Sequence, residues 1–184
     1  MGFIADRFGT VRGLVRLALT HAELMAGRGG VQLGDPALVR RLVFVCHGNI
    51  CRSAFADVAA REAGLATASF GLSAESGRAA HGPAIEAGAR IGHDLNEHRA
   101  TDVSDYVPQE GDLLLVMETR QLRRIAANPR LAHLPRTLLG LYTTPRTPHL
   151  HDPYSLSTAY MDRCLSLIDT AISALSTAFP NSKA

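Results

Sequence analysis

Apolar residues recur at helical spacing through residues 8–26, at Val11, Leu14, Val15, Ala18, Ala22 and Met25, which predicts a helix there. The glycines of GRGG at 27–30 and the LGDP stretch at 33–36 break that pattern. Residues 1–40 therefore read as an N-terminal helical extension, joined by a flexible turn to a second unit at 41–184 and covering a patch of it. From residue 41 the period changes. A continuous apolar run at 42–45 predicts a buried parallel strand. Helical spacing follows at 53–63 and stops at Gly64. Further strands are predicted at 67–70, 113–117 and 137–141, with helices at 82–91, 118–127 and 158–178. Pro83 suits a first helical turn, and Pro129 stops the helix before it. A loop rich in Pro, Thr and His spans 143–153. Strands alternating with helices at these lengths imply an α/β fold, a small doubly wound parallel sheet of about four strands flanked by helices.

Composition narrows the function classes. A chain of 184 residues with 46% hydrophobic and 20% charged residues suits one soluble core. The net charge of +2 is spread along the chain and aromatic residues make up only 5%, which argues against nucleic acid as a partner. No apolar run is long enough for a transmembrane segment, and Arg12 and Arg16 interrupt the one N-terminal stretch that could pass for a leader. Three cysteines, two of them in one short loop, read as reduced thiols in a cytoplasmic protein rather than a disulfide scaffold.

The chemistry concentrates in LVFVCHGNICRS, residues 42–53. A strand running into a short loop and then a helix places Cys46 at a strand's carboxyl end, where such sheets bind ligands. The loop from Cys46 to Arg52 can turn its backbone N–H groups inward as an anion nest, with the helix N-terminus behind them. Gly48 permits an unusual backbone angle, and Asn49 can go left-handed or brace the loop. Arg52 offers paired N–H donors to a tetrahedral oxyanion. Cationic neighbours and a helix N-terminus lower a cysteine pKa into the range of roughly 3.5–7.5, so Cys46 is expected to be a thiolate nucleophile. Ser53 can donate to that sulfur, or simply cap the helix. Zinc at Cys46, His47 and Cys51 lacks a second ligand pair, so no metal or other cofactor is expected.

These residues resemble the signature of the low-molecular-weight protein tyrosine phosphatases. The likeness extends over about 42–175 and takes in NEHRA at 96–100, LLLVMETRQL at 113–122 and HDPY at 151–154. It implies a flavodoxin-like three-layer sandwich and hydrolysis of phosphotyrosine through a cysteinyl-phosphate intermediate. On this resemblance Cys46 is the nucleophile, Arg52 the oxyanion clamp and Asp152, stiffened by Pro153, the general acid. His47, Gly48, Asn49, Ile50, Cys51, Ser53 and Tyr154 bind substrate, while His98 and Glu118 support the loop. The partner implied is a phosphotyrosine-containing protein, such as a bacterial tyrosine autokinase of polysaccharide export, with the enzyme a monomer or weak dimer. Some members pair the equivalents of Cys46 and Cys51 in a reversible disulfide, which makes the enzyme redox-sensitive.

Departures from the family pattern are visible. Glu118 stands where the family has Asp, Ala54 where it often has Pro, and Ser155 where it often has a second aromatic residue. SGRAAHGP at 76–83 carries no Phe, Tyr or Trp, so a thinner aromatic shelf is expected. Three competing readings share the loop. An arsenate reductase needs relay cysteines that 71–112 lacks. A protein arginine phosphatase tends to carry Thr where this chain has Ile50, whose apolar wall suits an aromatic ring. A catalytically silent phosphate-binding module would keep the loop without the hydrolysis.

Overall fold

The computed structural model describes residues 2–184. Two helices, α1 (Phe3–Phe8) and α2 (Val11–Met25), precede β1 (Arg41–Cys46), α3 (Arg52–Glu62), β2 (Thr67–Gly71) and α4 (Gly82–Arg90). Then come β3 (Asp112–Val116), α5 (Thr119–Ala126), β4 (Arg136–Leu138) and α6 (Thr158–Ala178). The four strands form one parallel sheet in the order β2-β1-β3-β4. Its two faces bury different residues of the same strands, as a period of two requires. Leu42, Phe44, Leu113 and Leu115 pack under α3 and α6, while Val43, Val45, Leu114 and Val116 pack under α5. Each such side chain, fully buried, contributes about 1.5–3 kcal/mol.

All strands run the same way, but the order in which the chain adds them reverses between the neighbours β1 and β3. In open α/β sheets the ligand crevice lies at that point, beyond the carboxyl ends of the strands. Cys46 ends β1, and Met117 and Glu118 follow β3, so the chemistry of the chain converges where the fold opens.

The elements from 41 onward follow the hydrophobic pattern within a residue or two, except that 139–141 forms a 3₁₀ turn after the short β4. The helix expected over 8–26 is two helices. Gly9, at φ 75°, divides them, and a Cβ there would lie 2.7 Å from the Tyr160 ring. The apolar stripe that reveals α2 in the sequence also faces away from the body: Val11, Val15, Ala18, Ala22 and Met25 are exposed. The contact is made instead through buried Gly13 and Thr20, flanked by half-buried Leu14, Leu17 and Leu24. Glycine is what allows the approach, since a Cβ at Gly13 would stand 3.0 Å from the His151 ring and 2.1 Å from the Phe8 carbonyl oxygen. Further along, Gln32 bridges the outer edge of β4 through Gln32 N to Arg136 O at 2.8 Å and Arg136 N to Gln32 O at 2.7 Å. That bridge covers a strand edge otherwise open to pairing.

Candidate active site

The stretch 47–51 leaves β1 and re-enters the fold as α3, whose first residue is Arg52. Among the described residues, none of the N–H groups of Gly48, Ile50, Cys51, Arg52 and Ser53 donates a hydrogen bond within the chain. Five unspent amides around a helix N-terminus form a cradle for an anion. Cys46 lies at its base, 3% exposed, with its sulfur 3.2 Å from the Asn49 N–H and 2.9 Å from Ser53 Oγ.

Asn49 holds this geometry. Its φ of 53° is the left-handed region that asparagine tolerates better than most residues. Asn49 Nδ2 donates to Ser53 Oγ at 2.8 Å and to Ser69 Oγ at 3.0 Å, while Asn49 Oδ1 accepts from Thr101 N at 2.8 Å. Because the Ser53 hydroxyl accepts from Asn49, its own proton is left for the sulfur. Ser69 passes its proton on to Asp57 Oδ2 at 3.2 Å. Below, His98 Nε2 stands 2.8 Å from Asn49 O, and a carbonyl only accepts, so that nitrogen carries the proton. Burial pushes the His98 pKa down, against the opposing pull of this hydrogen bond, which keeps the ring neutral.

Arg52 is 1% exposed and is held from three sides. Nη1 donates to Glu118 Oε1 at 2.9 Å and to Leu150 O at 2.8 Å, and Nη2 pairs with Asp152 Oδ2 at 2.7 Å. Its Nε is buried with no partner among the described residues. The longer arm of Glu118 still reaches: its Oε2 also takes Arg120 Nε at 2.6 Å. Burial works to raise the Glu118 pKa, but the Arg52 charge and the bonds from Arg120 and Arg52 prevail and hold it at about 2. A permanently ionised Glu118 fixes the guanidinium plane.

Asp152 reaches the cradle on the loop before α6. That loop is anchored by Leu150 N to Met117 O at 3.0 Å, by the Tyr160 hydroxyl to His151 O at 3.3 Å, and by Thr10 Oγ1 to His151 Nε2 at 3.2 Å. The resulting cavity has a volume of about 250 Å3. Cys46, His47, Gly48, Ile50, Cys51 and Arg52 line one side, and Ser73, Arg78, Asp152 and Tyr154 the other.

Of the residues expected from sequence, Asn49 and Ser53 do not touch this cavity. Both side chains are fully buried beside the sulfur, which they position. Ser53 is not the helix cap either, since that place falls to Cys51. The shelf is less thin than the missing aromatics imply, because the His81 ring packs 4.9 Å from Tyr154 at 46°. Burial, followed by the neighbouring Cys46, pushes the Cys51 thiol up. Sequence reasoning missed Ser69, Ser73, Arg78 and Leu150. Only Arg78 and His81 had a signal to find, inside the 76–83 stretch, had rings and cations been sought beside Phe, Tyr and Trp.

The comparisons agree with this geometry. The family model for low molecular weight phosphotyrosine protein phosphatase matches residues 41–183, and the chain belongs to that family. Within it, the chain is 39% identical over 92 residues to a probable low molecular weight protein-tyrosine-phosphatase EpsP of Ralstonia solanacearum. That match covers 49% of this chain and spans only 63% of the relative's length. The low molecular weight protein-tyrosine-phosphatase Ptp of Acinetobacter johnsonii is 30% identical over 135 residues, 72% of this chain and 93% of the relative. Among solved structures, the Erwinia amylovora tyrosine phosphatase AmsI superposes with a TM-score of 0.68 at 26% identity, covering 80% of this chain and 98% of that one.

Proposed function

We propose that this chain is a protein tyrosine phosphatase working by two-step covalent catalysis without a metal. The observation that carries the reading is the set of unspent loop amides, together with the buried Arg52 Nε that has no partner among the described residues, in the loop that begins at Cys46. In the first step Cys46 Sγ attacks phosphorus as the bond to the tyrosine oxygen breaks, and Asp152 gives that oxygen its proton. The amides and Arg52 stabilise the charge spread over the three equatorial oxygens. Asp152 Oδ2 occupies the anion position on Arg52 Nη2, so an arriving phosphoryl oxygen takes that donor and frees the carboxyl to face the leaving group. In the second step the Asp152 carboxylate removes a proton from water, which attacks the cysteinyl phosphate. The Ser53 hydroxyl eases departure of the sulfur.

Ile50 and the Tyr154–His81 pair suit a flat ring, which favours phosphotyrosine over phosphoarginine. The family relationship supports a tyrosine kinase of polysaccharide export as the protein substrate, met in the cytoplasm by a monomer or weak dimer. Among the described residues no helix is long and apolar enough to cross a membrane. Hydrolysis of p-nitrophenyl phosphate and of phosphotyrosine and phosphoarginine peptides, assayed side by side, tests the reading. Cys46→Ser is expected to abolish turnover and Asp152→Ala to lower kcat by about 10²–10⁴-fold. Turnover surviving in Cys46→Ser, or a preference for phosphoarginine, overturns it. Capture from lysate with Asp152→Ala then identifies the phosphoprotein.

The reading extends to redox sensitivity. Cys46 and Cys51 give up two hydrogens to peroxide, forming a disulfide and two waters, and a thiol reductant reverses the step. Mild peroxide should inactivate the enzyme reversibly, and Cys51→Ser should lose the recovery.

A further inference from the structure

A second cavity, of about 120 Å3, lies on the far side of Arg52 and shares no lining residue with the first. Arg12 and Arg16 of α2, Arg120 of α5, Glu118, His149 and His151 enclose it. Its charge is lopsided. Three guanidiniums face it, and its only carboxylate, Glu118, already has both oxygens engaged by Arg52 and Arg120. Arg12 and Arg16 make no hydrogen bond or ion pair among the described residues. His149 is 5% exposed, and its Nε2 is buried with no partner. Burial holds the His149 pKa down at about 4 although Glu118 pulls it up, so the ring is neutral at physiological pH.

Gathering three guanidiniums around one carboxylate that is already engaged costs free energy, as does burying a ring nitrogen without a partner. An anion among the guanidiniums offsets the excess positive charge. Guanidinium forks match a tetrahedral oxyanion, and the space holds a few water volumes. We propose that this cavity is a second oxyanion site, taking inorganic phosphate, and that its occupancy is coupled to the catalytic cavity through Glu118. An anion drawing on Arg120 loosens its grip on the Glu118 carboxylate, and that same carboxylate orients Arg52. Such coupling is reciprocal between the two sites. The Arg12 and Arg16 contribution lies outside the 41–183 family match, so it belongs to this chain's own extension. The site itself rests on charge and shape and stands whether or not the chain is a phosphatase, whereas its coupling to the catalytic cavity rests on that reading.

Titrating the full chain with inorganic phosphate by calorimetry tests the site, using wild type and the Arg12→Glu/Arg16→Glu variant. Both side chains are exposed, so the variant should melt as wild type does, and Arg12→Gln/Arg16→Gln supplies a milder second case. The double Glu variant is expected to bind one phosphate fewer, and the double Gln variant to bind the outer phosphate at least about tenfold more weakly. Equal stoichiometry and affinity in all three proteins overturns the site. Loss of one equivalent from a wild type that binds only one supports the outer site while sinking the catalytic cradle. For the coupling, phosphate should lower kcat as well as raise KM in wild type, and only raise KM in the double Glu variant. A kcat effect of the same size in both proteins overturns the coupling.

Discussion

Glu118 does the work of a shorter residue by leaning on two arginines, and that dependence has a pH signature. Its folded pKa of about 2 lies below the ordinary 4.5, so its stabilisation is fully present above pH 4.5 and is lost as pH falls through 4.5 towards 2. For a side chain 2% exposed this amounts to something on the order of 3 kcal/mol. Denaturant melts between pH 6 and pH 2 should show that decline, and Glu118→Gln should be less stable at pH 7 but flatter over the acid range. Asn49 offers a second test at the same scale. Asn49→Ala strands the Thr101 amide and must hold a φ of 53°, whereas Asn49→Gly strands the amide without that strain. Ala should therefore cost about 1 kcal/mol more than Gly in urea melts, and both should lower kcat because the sulfur loses its aligned Ser53 donor.

Among the elements, α2 is the one whose packing cannot be read from hydropathy. The central strands β1 and β3 were legible because each is a run of apolar residues buried on both faces, and the remaining helices because Gly or Pro marks their ends. The loop of 46–52 was legible because its chemistry is local in sequence. By contrast α2 docks through a glycine and a threonine, which carry no hydrophobic signal, and leaves its apolar stripe outside. Ser69, Arg78 and Leu150 escaped notice for a related reason: they belong to other segments and meet the loop only once the sheet is assembled. The docking of α2 predicts that Gly13→Ala will displace the helix from His151. Its kcat should fall with little change in KM, since the acid is re-aimed while the phosphate cradle is untouched.

Over the whole molecule, the sheet is rigid and Asp152, the proposed acid, is not part of it. Cys46 and Arg52 sit on β1 and α3, whose side chains are almost wholly buried, so the cradle shares the stability of the core. Asp152 hangs on a loop whose far side rests on Thr10 and Tyr160. Contacts of that kind, few and close to solvent, open before a core does.

Among the described residues, the hydrogen bond between Thr10 and His151 thus ties the proposed general acid to the first dozen residues of the chain. On warming, turnover should fade several degrees before circular dichroism registers any melting, and cooling should bring it back without refolding.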